Sequence, residues 1–262
     1  MGGTRAAAVS GMFYPADAGE LGQSVRRYLA AVTREEGPAP KALIAPHAGY
    51  VYSGPIAAAA YASIAEASER IRRVVLIGPC HRVAIQGFAA VGWDSFATPL
   101  GDVPVDASAV EKALTLPTVQ ILDSAHHQEH CLEVQLPFLQ SVLTDFAIVP
   151  FVAGEATAEE TAELLDLLWG GPETLIVVSS DLSHYHDYDT ARRLDGATTA
   201  AIEGLEPAAI GHDHACGRVP IRGILLAAGR HGLTAKTLDL RNSGDTAGSR
   251  HEVVGYGAYA FA

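Results

Sequence analysis

Blocks of apolar residues too short to be buried helices alternate along this chain with longer amphipathic or alanine-rich stretches. The runs at 41–45 (KALIA), 73–78 (RVVLIG), 86–93, 146–153 (FAIVPFVA), 174–179 (TLIVVS), 234–240 and 252–261 are rich in β-branched and aromatic side chains. They stop at Gly, Pro or Asp, a pattern that predicts strands. Asp17 with Glu20, and Thr157 with Glu160, have capping-box spacing ahead of helices over LGQSVRRYLAAV and TAELLDLLW. Pro55 is expected to open a third helix over IAAAAYASIAEA, and a fourth is expected from His126 to about Leu143. Residues 93–105 (WDSFATPLGDVPV) read as strand, turn and strand. Near-continuous apolar strands alternating with helices predict an α/β fold, a single three-layer αβα domain over residues 1–262 with a mixed, mostly parallel central sheet.

Composition narrows the partners more than the fold. With 48% apolar and 18% charged residues the chain is an ordinary globular one, and its net charge is −12. That balance argues against a nucleic-acid surface or an anionic membrane surface, both of which need clustered positive charge. No run of about 18 apolar residues predicts a membrane span. The first residues lack the continuous apolar stretch of a secretion signal, so a cytoplasmic location is expected. Three widely spaced cysteines, Cys80, Cys131 and Cys216, do not suggest a disulfide framework.

Eleven histidines remain to be explained. Three of them leave predicted strands: KALIA runs into His47, RVVLIG into His81, and TLIVVSS, through Asp181, into His184. Open α/β sheets bind ligands on the loops beyond the carboxyl ends of their strands. A single histidine there is more often structural than functional, but three in equivalent places point to metal ligation or acid–base chemistry. Other patterns are weaker. His126, Glu129 and His130 spell the H-x-x-E-H of inverted zinc peptidases, but at an expected helix start, where solvated side chains are the plainer reading. Gly255, Gly257 and Ala260 match a dinucleotide fingerprint with no helix to follow, and His212 with His214 lie in a polar loop. No C-x-x-C pair, phosphate loop or G-x-S-x-G elbow is present.

The segments GMFYPAD, IAPHAGYVYSG, GPCHR, EHCLEVQLPFL, VVSSDLSHY, CGRVPI and NSGD, in that order and along nearly the whole length, resemble the Memo-like family. Its prokaryotic members are called AmmeMemoRadiSam system protein B. The family's fold is similar to that of class III extradiol dioxygenases of the LigB type, which implies a metal-binding cleft at the strand ends. The resemblance implies His47 and His81 as metal ligands, His184 in the acid–base place and His130 as a further cleft residue. Asp181, Tyr50, Tyr52 and Tyr185 are then expected to line the pocket and orient substrate or histidines. Animal Memo proteins place a cysteine ligand after the penultimate strand, where this chain has Asn242-Ser243-Gly244-Asp245-Thr246. Asp245 is therefore expected as the third ligand, with Thr246 and His184 as alternatives, and the three cysteines are expected in structural places.

Two histidines with Asp245 would form the facial triad that suits Fe(II), whereas His47, His81 and His184 would suit copper or zinc equally well. The resulting expectation is a metal-dependent, dioxygenase-like oxidoreductase using Fe(II) or Cu on a small molecule. A zinc hydrolase is the first alternative. A peptide- or partner-binding module is the second. The family name implies AMMECR-type and radical-SAM proteins as partners, and the apolar C-terminal strands leave pairing across an oligomer open.

Overall fold

The computed structural model describes residues 2–33 and 37–262. In chain order its first half contains β1 (Thr4–Arg5), α1 (Ala18–Ala30), β2 (Ala42–Ala45), α2 (Tyr50–Ala62), β3 (Arg73–Pro79), β4 (Phe88–Ala90), β5 (Ser95–Phe96), β6 (Val103–Pro104), α3 (Ala107–Ala113) and β7 (Val119–Ile121). The second half contains α4 (Asp123–His126), α5 (Leu136–Val142), β8 (Ala147–Ala153), α6 (Ala158–Leu167), β9 (Thr174–Ser179), β10 (His184–His186), α7 (Tyr188–Glu203), α8 (Arg218–Arg230), β11 (Ala235–Asn242) and β12 (Val253–Phe261). The main sheet runs β10-β12-β2-β9-β3-β8-β4-β7, with β11 also paired to β12. Strands β2, β9, β3 and β8 are parallel neighbours, whereas β12 runs antiparallel to β2 and β4 antiparallel to β8.

Alternation along the central strands builds two cores, one on each face. Leu43, Val74, Leu76, Leu175 and Val177 pack under α1, α2 and α5. Ala42, Ile44, Val75, Ile77, Ile176 and Val178 pack against α3, α6, α7 and α8. The three-layer αβα arrangement with a mixed, mostly parallel sheet is therefore as the apolar pattern implies. The capping box at Thr157 and Glu160 is formed in full, and the Asp17 side chain accepts from the Glu20 N–H to start α1. Among the described residues, no helix is long and apolar enough to cross a membrane.

Three expectations are corrected. Residues 93–105 do form a hairpin, β5 and β6, but it joins β1 in a separate three-stranded sheet. The main sheet is mixed because of β12 and β4 instead. Helix α2 opens at Tyr50 and carries Pro55 inside, so the helix begins directly after the His47 loop and forgoes one backbone hydrogen bond. The helix expected from His126 to Leu143 is broken: α4 ends at His126, a 3₁₀ turn spans Glu133–Gln135, and α5 begins at Leu136.

Buried ions explain that break. Arg5 Nη1 donates to Glu133 Oε2 at 2.6 Å, with both side chains almost wholly inaccessible. Arg5 Nε donates to the His126 carbonyl at 2.9 Å and Nη2 to the Glu129 carbonyl, while the His130 N–H turns to the Glu129 carboxylate at 2.9 Å, so the α-helical bond from His130 to His126 is not made. Glu133 also accepts from the N–H groups of Ala8 (2.7 Å) and Val9 (3.0 Å) and from the Tyr14 hydroxyl (2.6 Å). A buried pair with every lone pair satisfied tolerates burial; breaking it strands a charge. Glu133→Gln, which leaves the Arg5 charge unpaired, is expected to destabilise the fold by about 3–5 kcal/mol in urea unfolding. A loss under about 1 kcal/mol would show that the pair does not hold the N-terminal segment in place.

Candidate metal centre

The parallel core sets out the site. His47 follows β2, Asp181 follows β9 and His81 follows β3, and these three strands are neighbours in the order β2-β9-β3. Their loops leave the same edge of the sheet side by side. His130 arrives from the irregular segment after α4. The ring centroids of His47 and His81 are 5.3 Å apart, those of His47 and His130 5.4 Å, and those of His81 and His130 4.9 Å in a near-parallel stack.

The fourth member comes from the start of α8. Cys216 Sγ lies 3.4 Å from His47 Nε2, and His47, His81 and Cys216 form a group whose ligand atoms all lie within 4.8 Å of one another. Gly217 makes this approach feasible: a Cβ there would stand 2.6 Å from Ser180 Cβ, and its N–H donates to Ser180 Oγ at 2.9 Å. A second group, His81, Glu129 and His130, shares His81 with the first.

Hydrogen bonds decide which nitrogen of His47 is free. Ser179 Oγ gives its only proton to the Cys131 carbonyl at 2.6 Å. Its lone pairs therefore accept from Gln135 Nε2 at 2.8 Å and from His47 Nδ1 at 2.9 Å. Gln135 is fixed in turn, with Oε1 accepting from the Tyr61 hydroxyl at 2.7 Å and Nε2 also donating to the Pro46 carbonyl at 3.0 Å. His47 thus carries its proton on Nδ1 and turns a bare Nε2 toward Cys216. His184 follows the same rule, since Nδ1 donates to the Leu182 carbonyl at 2.8 Å and leaves Nε2 free.

Burial, and then the neighbouring His81, depress the His47 pKa to about 3; burial, and then His47, depress that of His130 to about 4. Both rings are neutral at physiological pH, the form that ligates metals. Burial pushes the Glu129 carboxyl up, but hydrogen bonds centred on His81 and the adjoining backbone outweigh it and hold the pKa at about 2. Burial, and then Asp181, push the Cys216 thiol up to about 12. Asp181 Oδ1 accepts from the His47 N–H at 2.8 Å, and burial raises its carboxyl above the usual range.

His47, His81 and His130 are thus in ring contact with one another, Asp181 is bonded to the His47 backbone, and His184 is near enough to influence both His47 and Asp181. Asp245 is not in either donor group. Its Oδ1 accepts from the Tyr188 hydroxyl at 2.6 Å, and its Oδ2 accepts from the Asn242 N–H at 3.1 Å to cap a 3₁₀ turn. Thr246 Oγ1 donates to the Ser243 carbonyl at 3.2 Å. The third donor beside His47 and His81 is Cys216, which the sequence reading set among the structural cysteines. The CGR segment holds no strand exit or paired-ligand spacing to advertise it; only the tertiary approach of α8 to β9 does. Tyr52 and Tyr185 are exposed, but Tyr50 is buried, donating to the Val134 carbonyl at 2.7 Å, and does not line the cleft. His126 donates from Nε2 to the Ala89 carbonyl at 2.9 Å, which makes it structural and removes the H-x-x-E-H reading.

Comparison with known proteins decides the family: the Memo-like protein family matches residues 5–260. The chain belongs to the Memo-like family. A MEMO1 family protein of Aquifex aeolicus is 36% identical over 263 residues, covering 96% of this chain and 97% of its own. Those of Thermotoga maritima and Aeropyrum pernix are 34% and 36% identical, each covering at least 95% of both chains. The donor groups described above therefore lie within a Memo-like chain matched over nearly its whole length.

The buried neutral histidines give this Memo-like protein a pH signature. His126, held to a pKa of about 4 chiefly by burial, cannot take up the proton that the unfolded chain binds near pH 6.5. Stability therefore falls as pH falls from about 6.5 to 4, by roughly 1.4 kcal/mol per pH unit for each such histidine, and His47 and His130 add to it in metal-free protein. The urea midpoint of metal-free protein is expected to drop between pH 7 and pH 5. An unchanged midpoint would contradict the burial of these rings as neutral species.

Proposed function

We propose that His47, His81 and Cys216 hold a redox-active transition metal, iron or copper, and that the protein is an oxidoreductase acting on a small molecule in the histidine-lined cleft. The observation that carries this reading is the convergence of two imidazoles and a thiol, with His47 Nε2 left bare and aimed at the sulfur. Imidazole suits iron, copper and zinc, and thiolate adds preference for softer ions, so this donor set fits a first-row metal well. The likeness to ring-opening dioxygenases that the family resemblance implies favours redox metals over zinc by analogy. When bound, such a metal supplies electron transfer and polarises an oxygen-bearing substrate.

The chain's own groups have separable tasks. His184, tied through Nδ1 and bare at Nε2, is placed to accept a proton from substrate. It is near enough to influence the electrostatics of both His47 and Asp181, which supports a role beside them. Asp181 holds the His47 backbone and so keeps the ligand loop in register. His130, neutral and beside His47 and His81, completes the wall.

Aromatic side chains pack on two of these histidines, Phe13 on His130 and Tyr185 on His184, and an apolar or aromatic part of a small molecule would meet them there.

Metal analysis of protein purified anaerobically, without an affinity metal, tests this reading. Near one equivalent of iron or copper per chain is expected, lost in His81→Ala while Asp245→Asn retains it. Zinc in its place would favour hydrolysis over redox chemistry. No metal in the native protein, or loss in Asp245→Asn with retention in His81→Ala, would contradict the proposal.

A further inference from the structure

The carboxylate of Glu129 is the least expected component of the cleft. It is almost fully buried, and it accepts from four N–H groups. Oε1 accepts from His81 Nδ1 at 2.9 Å, from the His130 N–H at 2.9 Å and from the Cys131 N–H at 3.0 Å. Oε2 accepts from the His81 N–H at 2.7 Å. One side chain thus holds both the backbone and the ring of His81, fixing where the imidazole stands and which nitrogen carries the proton.

We infer that Glu129 is a positioning residue for the metal centre, which takes the Nδ1 proton of His81 and so presents a bare Nε2 to the space shared with His47 and Cys216. The inference rests on the metal reading above and extends it to a residue outside the His47, His81 and Cys216 set. It also separates the two donor groups. Oε1 accepts from three N–H donors and Oε2 from one, which commits the Glu129 carboxylate to the His81 ring and the adjoining backbone, so His81, Glu129 and His130 form a clamp while His47, His81 and Cys216 form the ligand set. His130 completes the clamp by stacking on His81, its Nδ1 3.3 Å from the same Oε1.

The physical consequence is twofold. A ligand histidine whose second nitrogen donates to a carboxylate is held in one tautomer and is a stronger base toward the metal, and losing such a partner typically costs 10- to 100-fold in affinity. His47 is oriented by a neutral hydroxyl, that of Ser179, so the two imidazoles are unequal: His81 has the anionic partner and the solvent-facing position. His81 is therefore the ligand whose strength the protein sets through charge.

Two measurements test this. In metal-free wild-type protein with selectively labelled histidine, long-range proton–nitrogen correlation at alkaline pH reports the tautomer of His81. The Nδ1–H form is expected, and the Nε2–H form would overturn the inference, whether or not the protein binds metal. Glu129→Gln then places an amide NH₂ against N–H groups and removes the charge. Titration with Co(II) is expected to show about 10- to 100-fold weaker binding than wild type, with the folded circular dichroism spectrum kept. Binding within twofold of wild type by the folded variant would overturn it. If the variant does not fold, the wild-type tautomer decides alone. Failure of wild type itself to bind Co(II), or iron or copper, contradicts the metal reading and leaves the tautomer result to judge Glu129.

Discussion

Three imidazoles have ring centroids within about 5.5 Å of one another, and burial keeps two of them, His47 and His130, neutral. A neutral ring has one proton that has to go somewhere, and the acceptor beside it decides which nitrogen carries it. The organisation of this end of the molecule follows from that constraint. Ser179 accepts the proton side of His47 and is itself fixed by Gln135 and the Cys131 carbonyl; Glu129 accepts that of His81. Ser179 stands on β9, whereas Gln135 and Glu129 come from the EHCLEVQ segment, where the Glu133 carboxylate and the Glu129 carbonyl are bound by Arg5 and the helix is interrupted.

The fold contributes position. Because β2, β9 and β3 are parallel neighbours, the loops after them emerge together, and His47, Asp181 and His81 meet without long connections. Cys216 needs one further device, the glycine that lets the start of α8 come against Ser180. The Arg5–Glu133 pair ties the N-terminal segment to the histidine-bearing segment, and Phe13 packs on His130. Core, buried ions and cleft are therefore parts of one arrangement rather than separate features.

What could be read from sequence was whatever obeys a local period or a local cap. The central strands, the capping box at Thr157 and the placing of His47, His81 and His184 at strand exits all belong to that class. The errors arose where long-range contacts override local preference. Asp245 has the chemistry of a ligand but uses it on Tyr188 and its own turn; Cys216 has no ligand spacing in sequence but is carried to the site by packing. Short strands such as β7 and β10, three residues each, have too few positions to show a period. Glu129 was visible only as a letter in H-x-x-E-H, a pattern whose two histidines turn out to have unrelated roles, His126 bonding a carbonyl and His130 facing the cleft.

The identity of the third donor is the claim on which the rest turns. X-ray absorption at the metal edge of the loaded protein measures it directly. The account predicts one sulfur scatterer at about 2.3 Å together with imidazole nitrogens at about 2.0 Å, the sulfur vanishing in Cys216→Ser. A shell of nitrogen and oxygen alone in the native protein would contradict it.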